Sequence, residues 1–163
     1  MKTIYLSEHI HPAAMEKLRR HARIVNSFDE IENVDGIIVR GIPLDRDLMT
    51  RAKKLKVICK HGVGFNKIDV AAARELGIVP IYTPTANTNS VAELIVGFFI
   101  ILSRRIYEAY VACRNGEIKE IAPAALEGTE ITGKTLGLIG VGNISRRVAE
   151  IMRKGFDVDA ICY

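Results

Sequence analysis

Short apolar stretches alternate with helix-like stretches along most of the chain, and this alternation restricts the fold more than any other feature. The stretches with the length of single strands are KTIYL (2–6), RIVNS (23–27), GIIVR (36–40), KVICK (56–60) and IVPIY (78–82). Most of the segments between them are long enough for helical crossovers. Strands and helices that alternate in this way form a parallel sheet covered on both faces. The sequence therefore predicts an α/β fold.

Three of the intervening segments carry helix signals. Pro12 suits the first turn of a helix predicted over 12–22. Asp45 is a suitable N-cap for a second helix, and Asp69 and Gly77 stand at the start and just past the end of a third. The residues predicted to share the apolar face of the first helix are Ala14, Met15, Leu18 and Ala22.

A second set of elements begins after residue 85. Asn87 opens a long helix predicted to run to about Cys113. Its apolar stretch SVAELIVGFFIIL (90–102) is shorter than the roughly 20 residues of a membrane span and predicts a buried core helix. After a loop, strand TLGLIG, a helix and strand DVDAICY (157–163) follow. Two strands and one helix cannot cover a parallel sheet on both faces, so the sequence predicts that this unit is incomplete.

Composition excludes several classes of function. The formal net charge is +4, but the basic residues are scattered and form no run, so nucleic-acid binding is not expected. Cys59, Cys113 and Cys162 are odd in number and form no CxxC pattern, which argues against a disulfide framework and against a zinc site. We expect a cytoplasmic protein that needs no membrane and no metal.

The stretch GVGNIS (140–145) fits the pattern GxGxxG with Ser145 in the third glycine position. In such a turn the first glycine allows the sharp bend and the second lets a pyrophosphate approach the backbone. The following helix N-terminus supplies free N–H donors. An apolar strand before the turn and a helix after it give the required context. The alternative is an ordinary strand–turn–helix junction.

Two further loops are candidates for binding. KHGVGFNKID (60–69) places glycines 62 and 64 after a strand, where exposed N–H groups can hold a carboxylate. It can also be an ordinary strand-to-helix turn. In PTANTNSVAE (84–93), Asn87 and Ser90 stand at a helix start, where N-capping is the simpler interpretation.

Taken in order, HGVGFNKID, GIVPIYTP, NTNSVAEL and GKTLGLIGVGNIS resemble the D-2-hydroxyacid dehydrogenases, the group that contains phosphoglycerate, glycerate, lactate and formate dehydrogenases. The resemblance covers about Gly36 to Tyr163. It implies a flavodoxin-like substrate (lid) domain at 1–102, a connecting helix and loop at 103–133, and an incomplete Rossmann βαβ arm at 134–163.

The resemblance also implies the site residues, the cofactor and the partners. Arg40, Gly41, Val63, Gly64 and Asn87 match substrate-binding positions, whereas Ser90, Gly140, Gly142, Asn143 and Ile144 match cofactor-binding positions. The expected cofactor is NAD, the expected ligand is a small anionic 2-hydroxy or 2-oxo acid, and a homodimer is expected.

The arginine, histidine and carboxylate that carry the family's catalysis have no counterpart among the matched residues. We therefore expect this chain to be the N-terminal part of an NAD-dependent oxidoreductase and to be inactive alone. No residue of the chain is assigned a catalytic role. His61, beside the GVG loop, is a weak candidate for proton transfer. The alternative is a short, non-catalytic carboxylate-binding or assembly module derived from the lid domain.

Overall fold

The computed structural model describes all 163 residues and contains two compact units, Met1–Ala86 and Asn87–Tyr163. The division between the units falls before the helix at Thr88–Ser103, whereas the predicted first domain extends to residue 102. The helix therefore packs with the second unit. The assignment of substrate and cofactor roles to these domains stays a prediction.

The first unit is built on five parallel strands in the order β2-β1-β3-β4-β5. The strands are β1 (Lys2–Leu6), β2 (Ala22–Val25), β3 (Gly36–Val39), β4 (Val57–Lys60) and β5 (Val79–Tyr82), and the helices are α1 (Pro12–Arg19), α2 (Arg46–Arg51) and α3 (Val70–Glu75). This strand order is that of flavodoxin-like sheets. The predicted α/β fold with a flavodoxin-like parallel sheet is confirmed.

The core of the first unit lies on the central strands. Ile37 on β3 pairs in register with Ile58 on β4, and both side chains are fully buried. Two predicted caps fix the helices that cover this core. Asp45 Oδ1 accepts a hydrogen bond of 2.9 Å from the Leu48 N–H, and Asp69 Oδ1 accepts one of 2.9 Å from the Ala72 N–H.

Helix α1 ends earlier than predicted. Its last residue is Arg19, and the His21 N–H donates to the Leu18 carbonyl over 3.0 Å in the turn that follows. Ala22 belongs to β2, where it pairs with Lys2 and is buried in the sheet. The prediction that Ala22 lies on the apolar face of α1 is therefore wrong, because sheet pairing takes this residue from the helix.

The second unit has three helices and two strands. They are α4 (Thr88–Ser103), α5 (Ile106–Arg114), β6 (Thr135–Leu138), α6 (Asn143–Phe156) and β7 (Asp159–Cys162). Strands β6 and β7 are parallel and form a two-stranded sheet with α6 as the crossover. The buried residues Ala92, Leu136, Val148, Met152 and Val158 form its core. The predicted βαβ arm is present.

The single helix predicted from Asn87 to about Cys113 is interrupted. Arg105 has a φ of 51°, in the left-handed region, and separates α4 from α5. The Ser103 carbonyl accepts a 2.6 Å hydrogen bond from the Thr129 N–H. At Gly128 an added Cβ would lie 2.7 Å from the Arg104 Cα, so the loop runs directly against the helix end. The Thr129 N–H thus takes the place of the Tyr107 N–H, which would donate to the Ser103 carbonyl in a continuous helix.

Helix α4 is not the buried core helix that its composition predicts. Ala92 is its only buried residue, while Leu94, Phe98 and Leu102 are more than half exposed in this chain. Hydrophobic composition predicts that a face will be covered but does not say by what. No helix of the protein is long and apolar enough to cross a membrane.

Candidate functional site

Loops from four strands of the first unit meet at the carboxyl edge of its sheet. Ser7 and Glu8 follow β1, Arg40 and Gly41 follow β3, the segment 61–64 follows β4, and Thr83 follows β5. In open α/β sheets, ligands bind at this edge, next to the position where the strand order reverses. Here that position lies between β1 and β3.

The loop after β4 presents two free backbone donors. Gly62 has a φ of +147°, which favours glycine, and its carbonyl accepts hydrogen bonds from the Thr83 N–H (3.1 Å) and Oγ1 (3.2 Å). The N–H groups of Val63 and Gly64 have no acceptor within the chain. Both residues are exposed. Successive free N–H groups of this kind form an anion-binding concavity, so the loop can hold a carboxylate.

The amides after β3 are already engaged. The Arg40 N–H donates to Ser7 Oγ over 3.3 Å, and the Gly41 N–H donates to Glu8 Oε1 over 2.8 Å. Lys60 Nζ donates to the Arg40 carbonyl. The Arg40 side chain is exposed and has no partner in the chain. Arg40 can therefore meet an anion through its guanidinium, whereas the Gly41 amide already binds a carboxylate.

Ser7, Glu8 and Lys60 were missed as site residues by the reasoning from sequence. A usable signal existed for the first two, because they directly follow the first strand and the carboxyl ends of parallel strands share one edge. The hydrogen bond between Glu8 and Gly41 joins residues 33 positions apart, and no local pattern reveals it.

The start of α4 carries Asn87 and Ser90. Asn87 precedes the helix, and its carbonyl accepts a 3.0 Å hydrogen bond from the Val91 N–H. Asn87 thus occupies the predicted N-cap position, but its side chain makes no capping hydrogen bond. Both Asn87 and Ser90 are exposed on this unit, and the Asn87 amide is free to bind a ligand.

The turn between β6 and α6 is the second backbone cradle. Gly140 has a φ of +85°, and its N–H donates to the Tyr163 carbonyl over 2.9 Å. The five N–H groups from Val141 to Ser145 have no acceptor within the chain, and the first intrahelical bond runs from Arg146 N–H to Gly142 O. Asn143 and Ile144 occupy the first turn of the helix. This is the arrangement that binds phosphate groups.

Gly142 fits a ligand better than it fits any need of the fold. Its φ is −86°, which any residue can adopt, and an added Cβ would meet no atom within 4 Å. Neither backbone conformation nor packing within the chain therefore requires glycine here. A group that must approach the backbone closely, such as a pyrophosphate, gives a reason for the missing side chain.

Helix α6 also carries Glu150, the carboxyl group whose pKa is shifted most strongly. Hydrogen bonds from Lys154 Nζ and Arg147 Nη1, each 2.7 Å long, lower the pKa of Glu150 to about 2. Arg147 Nε also donates to Asn89 Oδ1 over 3.0 Å and so links α6 to α4. Because the folded-state pKa is depressed, the stabilising contribution is present above the unfolded value and is lost as the pH falls through about 2.

We therefore expect Glu150 to stay ionised around pH 4.5, the ordinary glutamate value, when its side-chain carboxyl signal is followed by NMR. A Lys154→Gln variant removes the largest cause of the shift, so the midpoint should move up toward that ordinary value. Arg153→Gln, which removes a neighbouring charge with no bond to Glu150, serves as the control. A wild-type midpoint at the ordinary value would contradict the ion pairs.

The rings of His61 and His11 make no hydrogen bond to a carboxylate. His61 is exposed, its backbone N–H donates to the Val39 carbonyl over 2.8 Å, and its ring has no carboxylate partner. The His11 Nδ1 accepts a hydrogen bond of 3.3 Å from the Ala13 N–H and caps α1. No three His, Cys, Asp or Glu side chains are grouped to hold a metal ion.

Comparison with known proteins gives the relationship. Residues 4–158 match the profile of the D-isomer specific 2-hydroxyacid dehydrogenase catalytic domain. The chain belongs to this family. Over 137 residues it is 39% identical to a D-3-phosphoglycerate dehydrogenase of Methanocaldococcus jannaschii, a match that covers 83% of this chain and 25% of the relative.

Two solved structures agree with the fold. A protein of Thermus thermophilus superimposes with a TM-score of 0.90 at 29% identity, covering 98% of this chain and 55% of that one. A glyoxylate reductase of Paecilomyes thermophila gives 0.81 at 29% identity, covering 99% and 55%. The chain spans between 25% and 41% of the length of the curated relatives it matches.

Proposed function

We propose that this chain forms the substrate-binding unit and the first part of the cofactor-binding unit of an NAD-dependent oxidoreductase that acts on the CH–OH group of a D-2-hydroxy acid. Membership of the family supports an oxidoreductase. The observation that carries the proposal is the row of five free N–H groups from Val141 to Ser145, within which Gly142 has no structural need to be glycine.

The first unit supplies the acid-binding groups in this proposal. The free N–H groups of Val63 and Gly64 bind the substrate carboxylate and fix its orientation. Arg40, with its unpaired guanidinium at the same sheet edge, attracts the anionic acid. The side-chain amide of Asn87, in the second unit, is likewise free to bind an acid.

The second unit supplies the cofactor-binding groups. The N–H groups at Gly142, Asn143 and Ile144 bind the pyrophosphate of NAD, helped by the positive end of the α6 dipole. Ser90 lies at the start of α4, where we place it beside the cofactor. A bound NAD would supply the hydride acceptor for oxidation of the acid.

We further propose that the chain alone does not turn over substrate. Oxidation of a hydroxyl group needs a base that accepts its proton, and a useful base has a positioned partner. The ring of His61 has no such partner.

A cytoplasmic homodimer completes the proposal. Support for the dimer comes from large, exposed apolar side chains on α4 and α5, namely Leu94, Phe98, Leu102, Tyr107 and Tyr110.

Titrations of the isotope-labelled chain followed by ¹H–¹⁵N NMR test the proposal. D-glycerate is expected to shift the amide signals of Val63 and Gly64, and NADH those of Val141 to Ser145. With NAD and D-glycerate together, no NADH absorbance should develop. A response to the acid without a response to NADH would favour the non-catalytic carboxylate-binding module, and no response at either loop would refute the proposed function.

A further inference from the structure

Glu8 is a charged, half-buried side chain at the carboxyl edge of the first sheet that the proposed function does not use. Its Oε1 accepts the 2.8 Å hydrogen bond from the Gly41 N–H. Its Oε2 is buried and has no hydrogen-bond partner. A buried carboxylate oxygen without a donor is costly for the fold. The position of this side chain therefore calls for an explanation.

The backbone at Gly41 is shaped for this carboxylate. An added Cβ at Gly41 would lie 2.9 Å from Glu8 Oε1, closer than ordinary contacts allow. Ser7, the neighbour of Glu8, accepts the Arg40 N–H through its Oγ. Both amides after β3 are thus used by residues that follow β1. An anion that approaches this loop meets the Glu8 carboxylate instead of free N–H donors.

Glu8 places one negative charge among several positive ones, namely Arg40 and Lys60 at the loop and Arg19 in the adjoining cavity. Arg40 provides one exposed positive charge at the loop, and Glu8 provides one negative charge beside it. The Lys60 ammonium donates to the Arg40 carbonyl. Charge from Glu8 also contributes, after burial, to raising the pKa of the Tyr5 hydroxyl. The negative charge of Glu8 therefore acts on a neighbouring side chain.

Space for a ligand exists next to Glu8. A cavity of about 480 Å³ is lined by Ser7, Glu8, His9, Arg19 and Asn26, among others. Its lining includes hydrogen-bond donors and acceptors, with a negative charge on Glu8 and a positive charge on Arg19. A hydroxyl group entering here can donate to a carboxylate oxygen without adding charge, whereas a phosphate or a second carboxylate carries negative charge that Glu8 repels.

We infer that Glu8 determines which substrates this site accepts: it favours 2-hydroxy acids whose far end is a neutral hydroxyl group and disfavours those whose far end is a phosphate or a second carboxylate. The inference rests on the proposed function, because it assumes that the shared carboxylate of these acids binds at Val63 and Gly64. Arg40 alone would attract any anionic acid, and Glu8 restricts these acids to those with a neutral far end.

The test compares wild type, Glu8→Gln and Glu32→Gln in the full 163-residue chain. Glutamine keeps an oxygen that can accept from the Gly41 N–H, so Glu8→Gln removes the charge with little change of shape. Glu32 is exposed and makes no hydrogen bond or ion pair, so Glu32→Gln removes an equal charge elsewhere in the same unit. Amide signals of Gly41, Val63 and Gly64 report binding.

The probes are D-glycerate, 3-phospho-D-glycerate and inorganic phosphate. Glu8→Gln is expected to bind the two phosphate probes about tenfold more tightly than wild type, the Coulomb factor for a dianion ~6 Å from one charge in water. Its affinity for D-glycerate should stay within about twofold, since neutral ends feel little of that field. Glu32→Gln should behave as wild type with all three probes.

Equal phosphate affinities in the two variants, or no response of Gly41 to inorganic phosphate in either of them, would overturn the inference. The proposed function would still stand if D-glycerate shifts Val63 and Gly64 in all three proteins. Conversely, silence of Val63 and Gly64 would refute the carboxylate site, while inorganic phosphate at Gly41 still decides the role of Glu8. The two failures are therefore distinguishable.

Discussion

An Ile58→Ala variant is expected to lower the free energy of unfolding by about 2–5 kcal/mol. Ile58 lies on β4 between two paired strands, and its side chain is 0% exposed. Removal of its outer carbons loses their transfer free energy and leaves a cavity that the paired strands cannot close by moving. A loss of this size is a large part of the stability of a typical domain.

Urea unfolding followed by far-UV circular dichroism measures this loss. Ile81→Ala is the matched control, because it makes the same chemical change on the neighbouring strand β5, where Ile81 is 46% exposed. We expect the control to cost less than half as much, since much of its side chain already contacts solvent. Equal losses for the two variants would contradict the assignment of Ile58 to the core.

The strands and short helices of the first unit could be predicted because their signals are local. Most residues of GIIV and VIC are β-branched, and Asp45 and Asp69 stand where a helix needs an acceptor for its free N–H groups. Parallel pairing followed from the alternation with helices. These features require only neighbours in the chain, and the structure places them within a few residues of the prediction.

The errors in the prediction of the fold have non-local causes. The break at Arg105 depends on residues more than twenty positions away: the Thr129 N–H donates to the Ser103 carbonyl, and Gly128 lies against Arg104. Nothing in the apolar stretch 90–102 anticipates it. The same limit applies to the exposure of Leu102, since an apolar residue shows that a surface needs cover but not what covers it.

In the candidate site, too, features with local signals could be predicted, whereas a feature that depends on packing between strands could not. Glycine loops at 62–64 and 140–142 could be predicted because glycine marks unusual backbone and close approach. The free N–H groups of these loops were also expected, but the hydrogen bond that occupies the Gly41 amide could not be predicted. Val63 and Gly64 keep theirs, whereas Gly41 gives its own to Glu8, and only the packing of β1 beside β3 decides between these outcomes.

A Gly142→Asp variant is expected to raise stability and to lose cofactor binding at the same time. Gly142 is the N-cap of α6, has an extended backbone and has open space where a Cβ would stand. Aspartate there can accept from the free N–H groups of the first turn, which should stabilise the helix by about 0.5–1 kcal/mol. The same carboxylate occupies the donors that a pyrophosphate needs and repels it.

Repulsion between one carboxylate and a dianion at ~4 Å weakens binding by about 30-fold or more even in water. Thermal unfolding and NADH titration of the Val141–Ser145 amides measure the two effects. Gly142→Asn, of nearly equal shape but without charge, should gain a similar cap and lose less affinity. A cap and a phosphate compete for the same N–H groups, so a gain in stability with unchanged NADH affinity would show that the pyrophosphate binds elsewhere.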